Sequence, residues 1–348
     1  MEKFPLSSFT LGLAIIGALV LAALVAWNTW TSRRNTPRQA QTDSPAPGAA
    51  APGDPAVRTD PVFDTDPVPL QLPDRRAELD ALIDVIAPIV LETPVSGEAA
   101  LAAMPATRRA GSKPFAVEGL DAAGGEWELP HAGRRYSAFQ AGVQLANRTG
   151  ALNEIEYSEF VMKAQAFADA VNGSPEFPEM LHEGARAREL DQFAGDHDAQ
   201  LGFTLRARNA AWSPGYVQQN AARIGFVAGV IPGRMVLPAQ VPGMPPVLGL
   251  TFDTQAAMAE DPAQSAIREV TLSLDVPQVD RSERPFVRMR ESAIALAAAM
   301  DGLITDDNGQ VIRAEALDGI GADLEQLYDT LDGRDLSAGS VLARRLFS

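Results

Sequence analysis

Apolar residues recur along this chain with two alternating periods, and the alternation divides it into strands and helices. Ala81–Ala87 reads as a strand, and Ser96 to Met104 as a helix with a serine N-cap, ended by Pro105. Lys113–Leu120 and Glu126–Leu129 read as short strands across a Gly124-Gly125 turn. Tyr136–Leu145 reads as a longer strand with Phe139, Ala141, Val143 and Leu145 on one side. From Leu152 to Val171 the spacing becomes helical, with Phe160, Ala164, Phe167 and Val171 on one stripe and Gly173 just past the end.

The order then repeats. Ala199–Arg206 alternates as a strand, Ser213 caps a helix opening with Pro214, and strands follow at Arg234–Leu237, Pro246–Phe252 and Glu269–Val276. A helix from Pro285 to Met300 places Phe286, Met289, Ala293, Leu296 and Met300 on one stripe. Asn172-Gly173 after the first long helix is echoed by Asp301-Gly302 after the second. Pro178 to Asp196 reads as a connecting helix, Leu303–Ile312 as a hairpin around Asn308-Gly309, and Leu317, Leu324, Leu327 and Leu331 mark a final helix. Helices with one apolar stripe and strands with one apolar face predict an α+β fold: an antiparallel sheet with helices on one face, of split βαβ type, duplicated. The other face of each sheet is left open for binding.

The apolar run from Phe9 to Trp30 has neither period. It carries no charge between Lys3 and Arg33, is long enough to cross the ~30 Å hydrocarbon layer, and is followed by Arg33, Arg34 and Arg38. The expectation is an uncleaved N-terminal transmembrane helix over 9–30, with a short periplasmic stretch at 1–8 and a cytoplasmic C-terminal part. Residues 31–74 are rich in Pro and Ala and read as a disordered tether. Beyond it the reading places a first α+β module with its connecting helix at 75–195, a second domain at 196–335 and a tail at 336–348.

Charge and composition narrow the function. A net charge of −16 excludes nucleic acid as a general partner, and the absence of cysteine removes thiolate metal sites, disulfides and cysteine nucleophiles together. Asp196-His197-Asp198 has no second histidine near it and reads as a solvated loop, and Asp306-Asp307-Asn308-Gly309 lacks calcium-loop spacing and reads as a turn. No GxSxG, GxGxxG or GxxxxGK[ST] motif occurs. The expectation is a non-enzymatic protein with no cofactor and no bound metal.

The anchor with Trp30-Thr-Ser-Arg-Arg34, the Pro/Ala-rich tether, Val270-Thr-Leu-Ser-Leu-Asp-Val-Pro277, Phe286-Val-Arg-Met-Arg-Glu291 and Ile304-Thr-Asp-Asp-Asn308 resemble the ZipA-like cell-division proteins. The likeness runs from about Ala199 to Leu331 and leaves the first module outside it. The resemblance implies a bitopic inner-membrane adaptor, N-terminus periplasmic and C-terminal domains cytoplasmic, that binds the C-terminal tail of the tubulin-like protein FtsZ on the open sheet face and tethers the division ring at the septum. Carried over, the tail would meet Gln200, Gly202, Thr204, Met235, Leu237, Asp253 and Ser273. The family favours apolar residues at most of these places and an aromatic where Ser273 stands. Losing one such anchor costs about 1.5–3 kcal/mol, roughly 10- to 100-fold in affinity. A strand register shifted by one, a weak affinity, or a contact supplied by the first module would each accommodate this departure. The alternative reading is a cell-envelope scaffold in the periplasm that binds another division protein or peptidoglycan.

Overall fold

A computed structural model of the protein describes residues 37–40, 79–306 and 308–348. The expected periplasmic stretch 1–8, the expected span 9–30 and most of the expected tether lie outside the described residues. Among the described residues no helix is long and apolar enough to cross a membrane. The chain divides into two compact units, one holding the described residues 79–198 and 340–348, the other 37–40 and 199–339.

In the first unit, β1 (Asp84–Ser96) leads to α1 (Gly97–Ala103), where the Ser96 hydroxyl accepts from the Ala99 N–H as its residue type predicts. There follow β2 (Arg109–Ala110), β3 (Lys113–Asp121), β4 (Trp127–Glu128), β5 (Arg135–Gln144) and the small ribbon β6 (Ala146–Asn147) with β7 (Gly150–Ala151). The long helix α2 (Glu154–Ala170) starts with a capping box: Asn153 accepts from the Glu156 N–H, and the Glu156 carboxylate accepts from the Asn153 N–H. Next come β8 (Gly173–Pro175) and α3 (Met180–His197). The sheet runs β2-β3-β5-β1-β8 with β4 on β3, and its paired strands are antiparallel. Val85, Ala87 and Ile89 of β1, Phe139 and Val143 of β5, and Phe115 of β3 are buried against α2. There Phe167 meets Phe139 edge-on at 5.1 Å and Phe160 lies 6.2 Å from Phe115.

The second unit runs β9 (Gln200–Ala207), α4 (Pro214–Arg223), β10 (Val227–Ala228), β11 (Arg234–Leu237), β12 (Leu248–Thr251), α5 (Thr254–Ala257), β13 (Glu269–Asp275), α6 (Pro285–Met300), β14 (Gly302–Thr305) and α7 (Ala314–Asp332). Its sheet runs β10-β11-β12-β13-β9-β14, again antiparallel. The two sheets therefore share one plan: the opening strand lies second from one edge, with the following strands paired in sequence on one side of it and the strand after the long helix forming the edge on the other. Asn172 (φ 52°) and Asp301 (φ 57°) end the two long helices in the same left-handed conformation, each before a glycine that begins the closing strand. The α+β class, with antiparallel sheets and helices, is as the pattern predicts.

Three boundaries move. β1 continues to Ser96 through Pro88, which stays in register opposite Gln140, and Pro94, which falls within a register shift against β5 between Val90 and Val95. Part of the expected tail belongs to the first unit instead: α8 (Val341–Leu346) buries Leu346, with Phe347 buried beyond it, and Arg345 holds Asp84 at 2.6 Å. Within the expected tether, Arg38 forms a parallel bridge with Trp212, its N–H donating to the Ala211 carbonyl and its carbonyl accepting from the Ser213 N–H. Its guanidinium pairs with Asp301 at 3.0 Å.

Candidate functional site

In the second unit the sheet turns Phe203, Leu205, Leu250 and Leu272 toward the helices, where Phe286 of α6 lies 6.3 Å from Phe203. No described helix covers the other face. The strand register lines up Gly202, Ser273, Gly249 and Val236 as one row across it, and Thr204, Thr271, Thr251 and Arg234 as the next. Thr305 of β14 extends the second row. The first row is a trough, because two of its four positions lack a side chain and Ser273 between them is small and exposed. A Cβ at Gly249 would come within 2.6 Å of the Ser273 hydroxyl, so the glycine keeps this floor level.

Four of the expected contact residues share this face: Gln200 at its end opposite Asp275, and Gly202, Thr204 and Ser273 in its middle. Met235 and Leu237 do not. They are 4% and 6% exposed and point to the helix side, because Met235 pairs with Leu250 and thereby joins the core row. Val236, one position along, stands where they were expected, the result of a one-residue difference in strand parity. Asp253 lies beyond β12 and caps α5, accepting from the Gln255 N–H at 2.9 Å.

The first unit shows what such a face can hold. Gly173 pairs with Leu91 and Gly302 with Ala207, so the rows of the two sheets correspond residue by residue. The row Ile86, Gly142 and Ala116 answers Gly202, Ser273 and Gly249, and Pro88, Gln140 and Glu118 answer Thr204, Thr271 and Thr251. Leu79 lies on this first-unit face. Its side chain rests against Gly142 so closely that any Cβ there would collide with it, and its N–H donates to Glu118 at 2.9 Å. Gln140 donates to the other oxygen of Glu118 at 2.8 Å. A chain segment is thus received through an aliphatic side chain over a glycine and a backbone hydrogen bond to a polar row.

Sequence reasoning missed a buried polar cluster in the first unit. Lys113, 1% exposed, donates to Asn147 (2.7 Å), Thr149 (3.2 Å) and the Gly150 carbonyl (2.6 Å). Burial lowers its pKa, against the pull of Glu156 and Asp191. Ser112 donates to Glu156 through its hydroxyl (2.6 Å) and its N–H (2.8 Å). Burial opposes ionisation of Glu156, but the Ser112 and Asn153 hydrogen bonds and the Lys113 charge outweigh it and hold its pKa below the ordinary value. All three ammonium donors are engaged, so the cluster braces the β6–β7 ribbon. Lys113 between Ser112 and Pro114 at the head of an apolar strand, with Asn153 three before Glu156, was the available signal.

The Asp196-His197-Asp198 stretch is not a solvated loop. His197 ends α3 stacked on Phe193 at 4.3 Å, Asp196 accepts from Gln192 at 3.0 Å, and Asp198 holds Arg148 at 2.6 Å. Asp306 accepts from the Asn308 and Gln310 N–H groups at 3.0 and 2.7 Å, the turn expected there. Among the described residues no group of three or more His, Cys, Asp or Glu side chains could hold a metal ion. Comparison with known proteins adds no family: no protein-family model matches the chain, and no curated protein does.

Proposed function

We propose that this protein is a non-enzymatic adaptor that receives an extended peptide, the C-terminal tail of FtsZ, on the open sheet face of its second unit. In this reading the run over 9–30 spans the bacterial inner membrane once and the two units work in the cytoplasm at the division site. The adaptor then ties the division ring to the membrane. The observation that carries the peptide-binding part is the seating of Leu79 in the first unit: the matching row in the second unit, Gly202, Ser273 and Gly249, carries no described segment. An incoming aliphatic side chain over this trough buries about 1.5–3 kcal/mol of apolar surface. The Thr204, Thr271 and Thr251 hydroxyls stand beside it as partners for a peptide backbone. The polar character that departs from the ZipA-like pattern fits a contact made by a ligand's large side chain against small protein residues.

The test is fluorescence polarisation of a labelled FtsZ C-terminal peptide with residues 31–348. Saturable binding is expected at micromolar concentration, and Ser273→Arg, which fills the trough from an exposed position, is expected to weaken it at least tenfold. Absence of saturable binding, or equal binding by Ser273→Arg, refutes the assignment.

A further inference from the structure

The correspondence between the two sheets extends one row beyond the Leu79 seat. In the first unit Asp84 of β1 stands opposite Gln144 of β5, one row from Ile86 and Gly142 on the same face. In the second unit Gln200 of β9 stands opposite Asp275 of β13, one row from Gly202 and Ser273. Each sheet therefore sets one carboxylate against one carboxamide at the matching place, with the two strands exchanged.

The first unit shows what such a pair holds. Asp84 and Gln144 are buried, and both bind the same residue of α8. The Arg345 guanidinium donates to the Asp84 carboxylate at 2.6 Å, and the Gln144 carboxamide N–H donates to the Arg345 carbonyl at 2.9 Å. The acid reads the charge and the amide fixes the backbone, so the pair recognises an arginine through its side chain and its main chain together. Leu79 rests on Gly142 in the adjoining row. Rows on one face are two strand residues apart, about 7 Å, so this face receives an aliphatic side chain and a guanidinium side by side.

On the second unit's open face the same two rows are the trough of Gly202, Ser273 and Gly249 and the pair of Gln200 and Asp275. Gln200 is exposed and Asp275 is half-buried, the charged group of its row. The cations of the face stand toward its other end. Arg234 lies two rows away, opposite Thr251, and Arg206 one row further, paired with Glu269 at 3.1 Å. A basic side chain arriving on this face is therefore drawn to the Asp275 end.

We propose that Gln200 and Asp275 form an arginine subsite of the open sheet face: Asp275 takes the guanidinium of an incoming peptide, and the Gln200 carboxamide takes the carbonyl of that same arginine. The ligand class is an extended peptide whose arginine is separated by one residue from an aliphatic side chain, which settles over Gly202, Ser273 and Gly249. The trough reads bulk and backbone, and the adjoining row adds charge. The inference rests on the reading that this face receives an extended peptide, and not on that peptide coming from FtsZ.

The experiment selects random nine-residue peptides, displayed on phage, against the full chain in lipid nanodiscs, with empty nanodiscs to remove lipid binders. Clones whose binding Ser273→Arg abolishes are those of the open face. They are expected to carry arginine separated by one residue from Leu, Ile, Val or Met. As fluorescein-labelled peptides read by fluorescence polarisation, they are expected to lose about tenfold in affinity to Asp275→Arg, and replacing the peptide's arginine by glutamate is expected to restore binding to that variant. A merely structural loss would not be restored by the reversed charge. Asp275→Asn, nearly the same shape, keeps the test valid if Asp275→Arg unfolds: its loss and that from replacing the peptide's arginine by glutamine should not add. Open-face clones without arginine, or with an affinity that both Asp275 variants leave unchanged, overturn the subsite and leave the face a peptide site. Absence of any clone sensitive to Ser273→Arg removes the peptide-binding reading, and the subsite with it.

Discussion

Replacing Arg345 by alanine tests how the last residues of the chain hold the first unit together. Asp84 is 1% exposed, and the Arg345 guanidinium meets it at 2.6 Å from α8. Without that partner the carboxylate keeps only short-range support such as the Asp80 N–H at 2.9 Å. Breaking a buried ion pair from one side costs about 3–5 kcal/mol, and the surviving hydrogen bond places Arg345→Ala near the lower figure. The effect has a pH signature. Burial raises the pKa of Asp84 above its ordinary value, with the Arg345 charge and hydrogen bond pulling the other way. A raised folded pKa means that the native state holds this proton more tightly than the unfolded chain. The corresponding stabilisation is full below the unfolded pKa and is lost as pH rises through the folded one. In Arg345→Ala the downward pull is gone, the folded pKa rises further, and the deficit against wild type is smallest near pH 4 and largest near pH 7. Amide hydrogen exchange over Val85–Ile89 and Phe139–Val143 reads this unit alone. A loss of protection of about two orders of magnitude at neutral pH is expected from about 3 kcal/mol, shrinking in acid. An equal loss at both pH values, or a loss under threefold, refutes the reasoning.

Tyr328→Phe removes a buried hydroxyl that has no partner among the described residues and is expected to raise the thermal midpoint of the second unit, by the order of 1 kcal/mol in stability; a lowered midpoint would show that the hydroxyl is satisfied. Lys113→Met keeps the aliphatic stem but strands the acceptors at Asn147, Thr149 and Gly150. Urea unfolding should show a loss of about 1–3 kcal/mol, and an unchanged midpoint would deny the cluster its bracing role. Gly142→Ala should cost about 1–3 kcal/mol through collision with Leu79, and much less in a Leu79→Gly background, since the two are in contact. Additive effects in that double-mutant cycle would remove the seat from which the peptide-binding proposal is drawn.

Much of the fold is legible because the local signals agree with one another. Pro214 after Ser213, Pro285 after Arg284 and the apolar stripes of both long helices place these elements within a residue or two, and the paired Asn172 and Asp301 helix ends expose the shared plan. What stays hidden depends on distance in sequence. Nothing local to Arg345 says that its partner is Asp84, 261 positions earlier, and a short amphipathic helix at a chain end reads as a tail until its packing is seen. Likewise Arg38 sits in a composition suited to a tether, and its place beside Trp212 is set by backbone hydrogen bonds, which leave no side-chain signal, and by an ion pair to Asp301, 263 positions later. Pro88 and Pro94 mislead in the opposite sense: Pro88 stays in register opposite Gln140, and a register shift between Val90 and Val95 absorbs Pro94.

The candidate surface shows why strand parity is the weakest link from sequence to site. β9 and β13 alternate large apolar with small or polar residues, so Phe203, Leu205 and Leu272 choose the core face and Gly202, Thr204 and Ser273 the other without ambiguity. β11 offers Arg-Met-Val-Leu, in which three consecutive residues are apolar, and either parity buries some of them. Its pairing with β12 decides, because Leu248 and Leu250 must both be buried and Met235 and Leu237 stand opposite them. The consequence reaches function. With Met235 and Leu237 in the core, the exposed row contains Val236 and small residues, so the surface is a shallow trough rather than an apolar ridge. Specificity on such a surface has to come from the ligand's own bulk and from backbone hydrogen bonds, as Leu79 illustrates on the sister sheet.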